Sequence, residues 1–184
     1  MDRLLDPYIR EILFAYMEST GEKLRILEEK NLGASRADLL MVTDGCLTGF
    51  EIKSDGDSYA RLKTQVKDYD KYCDFCYLAV GRSHQKGAAA HLPAHWGILA
   101  VDREGVEELR PAAANPGVKL RKKLELLWKR EMHGILRKNG MPKYKDKSRK
   151  FILDKLEAAI PAEELPYWIT GELFERDYTL LDTK

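Results

Sequence analysis

The chain has 184 residues, of which 44% are hydrophobic and 33% are charged, and its formal net charge is +1. This length and composition suit one compact domain, or one domain with an appendage, and provide enough apolar material for a core. No apolar run approaches the roughly 18–20 residues that cross a bilayer, which excludes a membrane-spanning protein. Charges interrupt the apolar N-terminal stretch, unlike a signal peptide, and the cysteines are few. We therefore expect a cytoplasmic protein with reduced thiols and no membrane partner.

The first part of the sequence alternates helical and strand patterns. Its elements are defined by the spacing of apolar residues and by the turn signal Asp44-Gly45. In chain order they are a helix over Asp6–Met17, a strand over Lys23–Glu29, a hairpin with strands over Arg36–Val42 and Leu47–Lys53, a helix over Asp57–Tyr72 capped by Ser58 or Asp57, and strands over Phe75–Gly81 and His95–Asp102. The predicted order is α-β-β-β-α-β, followed by one further strand.

The remaining sequence has a helical pattern. The stretch "RPAAANPG" over Arg110–Gly117 breaks the composition and predicts a linker. Apolar residues at helical spacing then predict three helices, over Val118–Gly140, Ser148–Ala159 and Pro161–Arg176. We predict an α/β fold class, with a mixed sheet of four or five strands flanked by helices over residues 1–110. A helical C-terminal region over residues 118–184 is expected to pack on that core.

Two charges lie in the middle of an otherwise apolar strand. Glu51 and Lys53 share one strand face, opposite Phe50 and Ile52, because side chains two residues apart point the same way. Asp38 on the preceding strand can reach the same point, since neighbouring strands lie about 4.8 Å apart. Two carboxylates and the carbonyl of Ile52 would form an oxygen-rich site suited to Mg²⁺ or Mn²⁺. The alternative is a cross-strand set of ion pairs on a solvated sheet face.

Three short motifs carry a resemblance to a known superfamily. They are "RADLL" with Asp38, "FEIKS" with Glu51 and Lys53, and, on the following helix, "QVKDY" with Gln65 and Tyr69. Together they resemble the PD-(D/E)XK nucleases, with the Q-x-x-x-Y helix of RecB-type members, although alanine stands in place of the usual proline. The resemblance implies a restriction-endonuclease-like core with the order α-β-β-β-α-β. It also implies that Asp38 and Glu51 hold the metal and that Lys53 is the catalytic lysine.

Three further blocks resemble a narrower bacterial and phage family within that superfamily. They are "PAHWGI" at Pro93–Ile98, "RPAAANP" at Arg110–Pro116 and "LWKRE" at Leu127–Glu131. The resemblance therefore spans most of the chain. It implies a fold and a nuclease-type site, and it says little about a biological role.

Other side chains have two interpretations each. A third acidic ligand is left open between Glu11 on the first helix and Glu28 or Glu29 on the first strand. Gln65 would bind a substrate phosphate or a water at the metal. Tyr69 would support the substrate or pack in the core. Arg36 and Arg61 would contact phosphate or form ion pairs with nearby acids, Asp57 in the case of Arg61.

The middle third of the chain is strongly basic. Between Val118 and Lys150 there are 13 lysines and arginines against 3 acids, a balance hidden by the neutral total. A loop-like run with Lys143, Lys145, Lys147 and Arg149 favours contact with a nucleic-acid backbone, without reading of base sequence. An ordinary solvated helix face is the alternative.

The three cysteines and a histidine are further candidate functional groups. Cys73 and Cys76 form a C-x-x-C pair, for which core packing is favoured over a redox site. A zinc site would need further ligands, for which Cys46 with His84, His91 or His95 are the candidates. His84 follows a strand and could face the site from its end.

The function we predict is a Mg²⁺- or Mn²⁺-dependent nuclease that hydrolyses phosphodiester bonds. DNA is favoured over RNA as the substrate, and Asp38, Glu51, Lys53 and Gln65 are the predicted active-site residues. The alternative is a catalytically inactive module of the same fold that binds nucleic acid or protein. The sequence leaves the oligomeric state open, a homodimer included.

Overall fold

The computed structural model describes residues 6–81 and 84–179 of the chain. The first five residues of the predicted core 1–110, its residues 82 and 83, and the last five residues of the predicted helical region 118–184 lie outside the described residues. The elements are α1 (Asp6–Glu18), β1 (Arg25–Leu32), β2 (Ser35–Thr43), β3 (Cys46–Lys53), α2 (Leu62–Tyr72), β4 (Phe75–Val80), α3 (Gln85–Ala88), β5 (Gly97–Asp102), β6 (Gly105–Arg110), α4 (Leu120–Leu124), α5 (Lys129–Lys138), α6 (Arg149–Ala159) and α7 (Leu165–Phe174). The α/β class, the α-β-β-β-α-β order and the helical C-terminal region are confirmed.

One mixed sheet of six strands runs in the order β1-β2-β3-β4-β5-β6. The outer pairs are antiparallel, whereas β3, β4 and β5 are mutually parallel. The central strand β4 is an almost continuous apolar run, as expected for a parallel strand covered on both faces. The sheet has six strands, where four or five were predicted. The added strand is β6, whose largely charged and exposed sequence gave no strand signal.

Helices cover both faces of the sheet. On one face, α1 buries Ile9 and Leu13 against Leu39 and Phe50 of β2 and β3. On the other face, α2 and the C-terminal helices share one hydrophobic cluster with the sheet. The C-terminal helices thus pack directly on the strands.

Two helix boundaries differ from the sequence prediction. Helix α2 begins at Leu62 rather than Asp57, because the Asp57 carboxylate accepts a hydrogen bond from the Ser54 amide at 2.7 Å and holds the segment in a turn. The single helix predicted over Val118–Gly140 is two helices, α4 and α5. The break arises because Glu131 folds back to accept the Trp128 amide at 2.7 Å and starts a new helix.

Two of the sequence blocks fasten the C-terminal end of α2. Asp70 of α2 accepts a hydrogen bond from the Trp96 indole at 2.8 Å and contacts His95 at 2.9 Å. The Asn115 side chain donates to the carbonyls of Asp70 and Cys73, each at 2.8 Å. These contacts fix α2 on the sheet and so fix the side chains that α2 contributes to the site described below.

Nowhere in the part of the chain that the structure describes does a helix combine the length and apolar character needed to cross a bilayer.

Candidate functional site

An open cleft of about 640 Å³ lies beside β2, β3 and the first turn of α2. Seven of the residues that the sequence singles out line it, namely Arg36, Asp38, Glu51, Ile52, Lys53, Arg61 and Gln65. Its lining comprises Asp6, Ala34, Ser35, Arg36, Asp38, Glu51, Ile52, Lys53, Asp57, Arg61, Thr64 and Gln65.

Asp38 and Glu51 approach each other because of the hairpin register. The two-residue turn pairs Thr43 with Cys46, and the same register pairs Leu39 with Phe50, which places Asp38 opposite Glu51. One carboxylate oxygen of Asp38 accepts the Ile52 amide at 2.7 Å. The predicted convergence of the two acids is therefore present.

Glu51 is 1% exposed and is surrounded by hydrogen-bond donors. The Lys53 ammonium lies 2.5 Å from its Oε1 atom, which also accepts a hydrogen bond from the Gln65 amide. The Tyr69 hydroxyl lies 2.9 Å from its Oε2 atom. A buried carboxylate is costly unless it is paired and hydrogen-bonded, and these contacts meet that requirement.

Tyr69 packs in the core, which is one of the two roles between which the sequence left it, and it does not line the cleft. Its ring is fully buried in the core, and its hydroxyl accepts the Asp38 amide at 3.2 Å while it faces Glu51. The ring reaches this position because Gly49 has no side chain: a Cβ there would lie 2.6 Å from Cδ1 of Tyr69. Glycine is required here for the close approach of α2 to β3.

Arg10, in the N-terminal half of α1, was missed by the sequence reasoning, and it contacts the site. Its guanidinium donates to the Asp38 carbonyl at 3.0 Å and lies 3.4 Å from the Asp38 carboxylate. It also pairs with Asp6 at 2.5 Å and with Glu29 at 2.7 Å. Although burial opposes the charge, these acids raise the pKa of Arg10 above its ordinary value.

Asp38 is the most strongly perturbed carboxyl group of the cleft. Burial first, and then the charge of Glu51, raise its pKa to about 7. The Ile52 amide, Arg10 and Lys53 act in the opposite direction and are outweighed. Asp38 is therefore harder to ionise than a solvent-exposed aspartate.

Asp38→Asn should stabilise the metal-free protein at alkaline pH. The raised pKa means that the wild-type protein loses stability as the pH rises from about 4 through about 7, whereas the variant does not. The difference should be small at pH 4 and reach on the order of 2–4 kcal/mol at pH 8. Urea unfolding of both proteins in EDTA at the two pH values measures it, and an equal difference at both would contradict the assignment.

The oxygen donors around Asp38 and Glu51 decide whether the cleft can hold a divalent cation. The cleft lining offers the carboxylates of Asp38 and Glu51 together with Ile52, whose amide donates to Asp38. Oxygen donors of this kind fit Mg²⁺ or Mn²⁺. Over residues 6–81 and 84–179, no group of three His, Cys, Asp or Glu side chains is placed to hold a metal ion. The two carboxylates of the cleft are nevertheless chemically suited to a divalent cation. A cation that binds Oε1 of Glu51 would compete with the Lys53 ammonium.

None of the three candidates for a third acid lines the cleft. Glu11 is exposed on α1 and does not line the cleft. Glu28 and Glu29 face Arg10, at 3.5 and 2.7 Å. The acids that do line the cleft are Asp6, held by Arg10, and Asp57, held by Ser54. Burial raises the pKa of Asp57, but the hydrogen bonds from Ser54 outweigh it and lower that pKa overall.

Two predicted cations lie at the mouth of the cleft. The Arg36 side chain is 67% exposed and forms an ion pair with Glu29 at 2.6 Å. Arg61 is exposed at the start of α2. Both line the cleft, so both are placed to contact a substrate that enters it.

The basic run lies outside the cleft lining. Lys143, Lys145 and Lys147 are exposed in the segment before α6, whereas Arg149 donates to the Glu125 carbonyl at 2.6 Å and anchors that helix. The run therefore forms a separate basic surface.

The surroundings of the thiols and of His84 indicate structural roles. Cys73 and Cys76 are fully buried, and burial raises the pKa of Cys76 far above its ordinary range. Packing is thus the favoured role of the pair. The His84 ring contacts the Asp57 carbonyl at 2.8 Å.

The comparisons with known proteins give a family. The family model described as bacteriophage P4 protein cII matches residues 9–175, and the chain belongs to this family. No curated protein matches the sequence. Among solved structures, a protein of unknown function from Silicibacter pomeroyi is similar, with 25% identity, a TM-score of 0.49 and coverage of 63% of this chain and 77% of that chain. SfsA from Pyrococcus furiosus, in complex with Ca²⁺, has 16% identity, a TM-score of 0.33 and coverage of 61% and 63%.

Proposed function

We propose that the chain is a divalent-metal-dependent nuclease of the PD-(D/E)XK superfamily, with a restriction-endonuclease-like core, that hydrolyses phosphodiester bonds in DNA. The observation that carries the proposal is the convergence of Asp38, Glu51, Lys53 and Gln65 in one open cleft. The carboxylate of Glu51 and the ammonium of Lys53 are buried side by side and line that open cleft, although an apolar pair would cost less desolvation.

Each residue has a defined part in the proposed reaction. Asp38, Glu51 and the Ile52 carbonyl would hold Mg²⁺ or Mn²⁺, which when bound polarises the scissile phosphate and activates water. Lys53 stabilises the negative charge that develops on the phosphate. Gln65 orients the attacking water through its side-chain oxygen, a buried atom without a hydrogen-bond partner among the described residues. Arg36 and Arg61 bind flanking phosphates at the mouth.

The test is cleavage of single- and double-stranded DNA, and of RNA, with Mg²⁺, with Mn²⁺ and with EDTA. We expect DNA cleavage that requires the metal and that is lost in Glu51→Gln. Gln keeps the shape of the side chain and can still accept hydrogen bonds, so its effect reports the missing charge. Cleavage that continues in EDTA, or in the Gln variant, would refute the proposed site.

A non-cleaving nucleic-acid-binding module is the second candidate. It is favoured by one observation, which is that Lys53 already neutralises Glu51 without any added cation. Binding of DNA that persists in EDTA, together with no cleavage of any nucleic acid, would support it over the nuclease.

DNA binding should depend on the basic surface of Lys143, Lys145 and Lys147. Each phosphate neutralised contributes about 0.9 to the slope of log affinity against log salt for duplex DNA. Replacing all three lysines by Gln should therefore reduce that slope by about 2–3. Fluorescence anisotropy across a salt series measures it, and an unchanged slope would show that this surface does not contact the backbone.

A further inference from the structure

We propose that Arg10 is the positioning residue that sets the orientation of Asp38, by bridging an interruption in the β1–β2 ladder. The inference rests on the proposed function, since it gives Arg10 an effect on the cation held by Asp38. Arg10 would act through Asp38 and not through the substrate.

The ladder between β1 and β2 is interrupted at the candidate ligand. Glu28 pairs with Leu39 and Lys30 pairs with Ala37, whereas Glu29 and Asp38, which lie opposite each other, are not paired. Glu29 has a φ of 52°, which is a left-handed conformation that is uncommon for a residue with a side chain. Such a conformation persists only where surrounding contacts hold it.

The guanidinium of Arg10 occupies this interruption. Its Nη1 atom donates to the Asp38 carbonyl at 3.0 Å, which supplies a hydrogen bond where the ladder does not. Its Nη2 atom lies 2.7 Å from the Glu29 carboxylate and 3.4 Å from that of Asp38. One side chain thus contacts both residues of the unpaired position, and it contacts both the backbone and the carboxylate of Asp38.

The arrangement requires the shape of arginine as well as its charge. The Nε atom donates to Asp6 at 2.5 Å, while the two Nη atoms serve Glu29 and Asp38. A lysine has one nitrogen and cannot reach three partners in this planar fork. The Arg10 side chain is only 14% exposed, so water would not readily take over these contacts.

Charge and positioning predict opposite effects on metal affinity. If Arg10 were only a neighbouring cation, its removal would strengthen the binding of Mn²⁺, because like charges repel. If Arg10 positions Asp38, its removal weakens Mn²⁺ binding, as changes to groups that orient a ligand commonly do, by 10–100-fold.

The experiment is titration of the full-length protein with Mn²⁺, without nucleic acid, followed by electron paramagnetic resonance. Arg10→Met and Arg10→Lys should both lower the affinity about 10–100-fold. The matched control is Arg36→Met, which removes a cation from the same cleft and a partner from the same Glu29 without touching Asp38. It should leave the affinity equal to, or above, that of the wild-type protein. Wild-type or higher affinity in Arg10→Met, or full rescue by Lys, would overturn the proposal.

A second measurement does not depend on metal. Amide hydrogen exchange over residues 28–30 and 37–39 should be faster in Arg10→Met than in the wild-type protein, with a smaller change in Arg36→Met. If the wild-type protein binds Mn²⁺ but cleaves nothing, the nuclease proposal fails and the positioning proposal is still decided by the titration. If it binds no Mn²⁺, the ligand role of Asp38 fails, and unchanged exchange in Arg10→Met would overturn what remains of the inference.

Discussion

Lys53→Met should lower DNA cleavage about 10²–10³-fold while Mn²⁺ binding is retained or strengthened. Removing one group that stabilises charge in a transition state commonly costs this much in rate. The Lys53 ammonium is 2.5 Å from Glu51 Oε1, so it competes with a cation for that oxygen, and its removal should favour the cation. Rates at saturating Mn²⁺ and the binding titration together measure the two effects.

The opposite effects on rate and affinity separate a catalytic lysine from a structural one. A purely structural Lys53 would lose cleavage and metal binding together, because Glu51 would be left buried without a partner. Lys63→Met is the matched control, since Lys63 is an exposed lysine of α2 that does not line the cleft. Wild-type cleavage rates in Lys53→Met would show that the assigned mechanism is wrong.

The positions of Asp38 and Glu51 could be predicted because local rules determine them. A two-residue turn at Asp44-Gly45 fixes the register of the hairpin, and the register fixes which residues lie opposite each other. Strand alternation then places Lys53 on the face of Glu51. Gln65 and Tyr69 joined them because helical spacing of four puts both on the same side of α2.

The surroundings of Asp38 and Glu51 could not be predicted in the same way. Arg10 meets Asp38 across 28 positions of sequence, and the contact depends on how α1 lies on the sheet. The choice of Glu11 could have been disfavoured from the sequence, since Ile9 and Leu13 define the buried stripe of α1 and Glu11 lies on the other side. The left-handed backbone at Glu29 could not be predicted from the sequence, because this conformation is typical of glycine and not of glutamate.

The block "LWKRE" acquires a structural explanation that the resemblance did not provide. Glu131 caps α5 through the Trp128 amide, and both of its oxygens also accept hydrogen bonds from Arg176, each at 2.7 Å. Arg176 in turn lies over the Trp128 ring, at 4.4 Å from its centre, and donates to the Leu126 carbonyl. This buried ion pair joins the segment after α7 to the start of α5, and none of its members lines the candidate site.

Arg176→Met should destabilise the protein by about 3–5 kcal/mol, because it leaves the Glu131 carboxylate buried without a counter-ion. At about 2–4 °C per kcal/mol for a chain of this size, the melting temperature should fall by on the order of 10 °C. The double variant Glu131→Gln with Arg176→Met should be clearly more stable than Arg176→Met alone, since Gln can still accept the Trp128 amide and carries no charge. Thermal unfolding of the three proteins measures these differences. A double variant no more stable than the single one would show that lost packing on Trp128, rather than the unpaired charge, accounts for the cost.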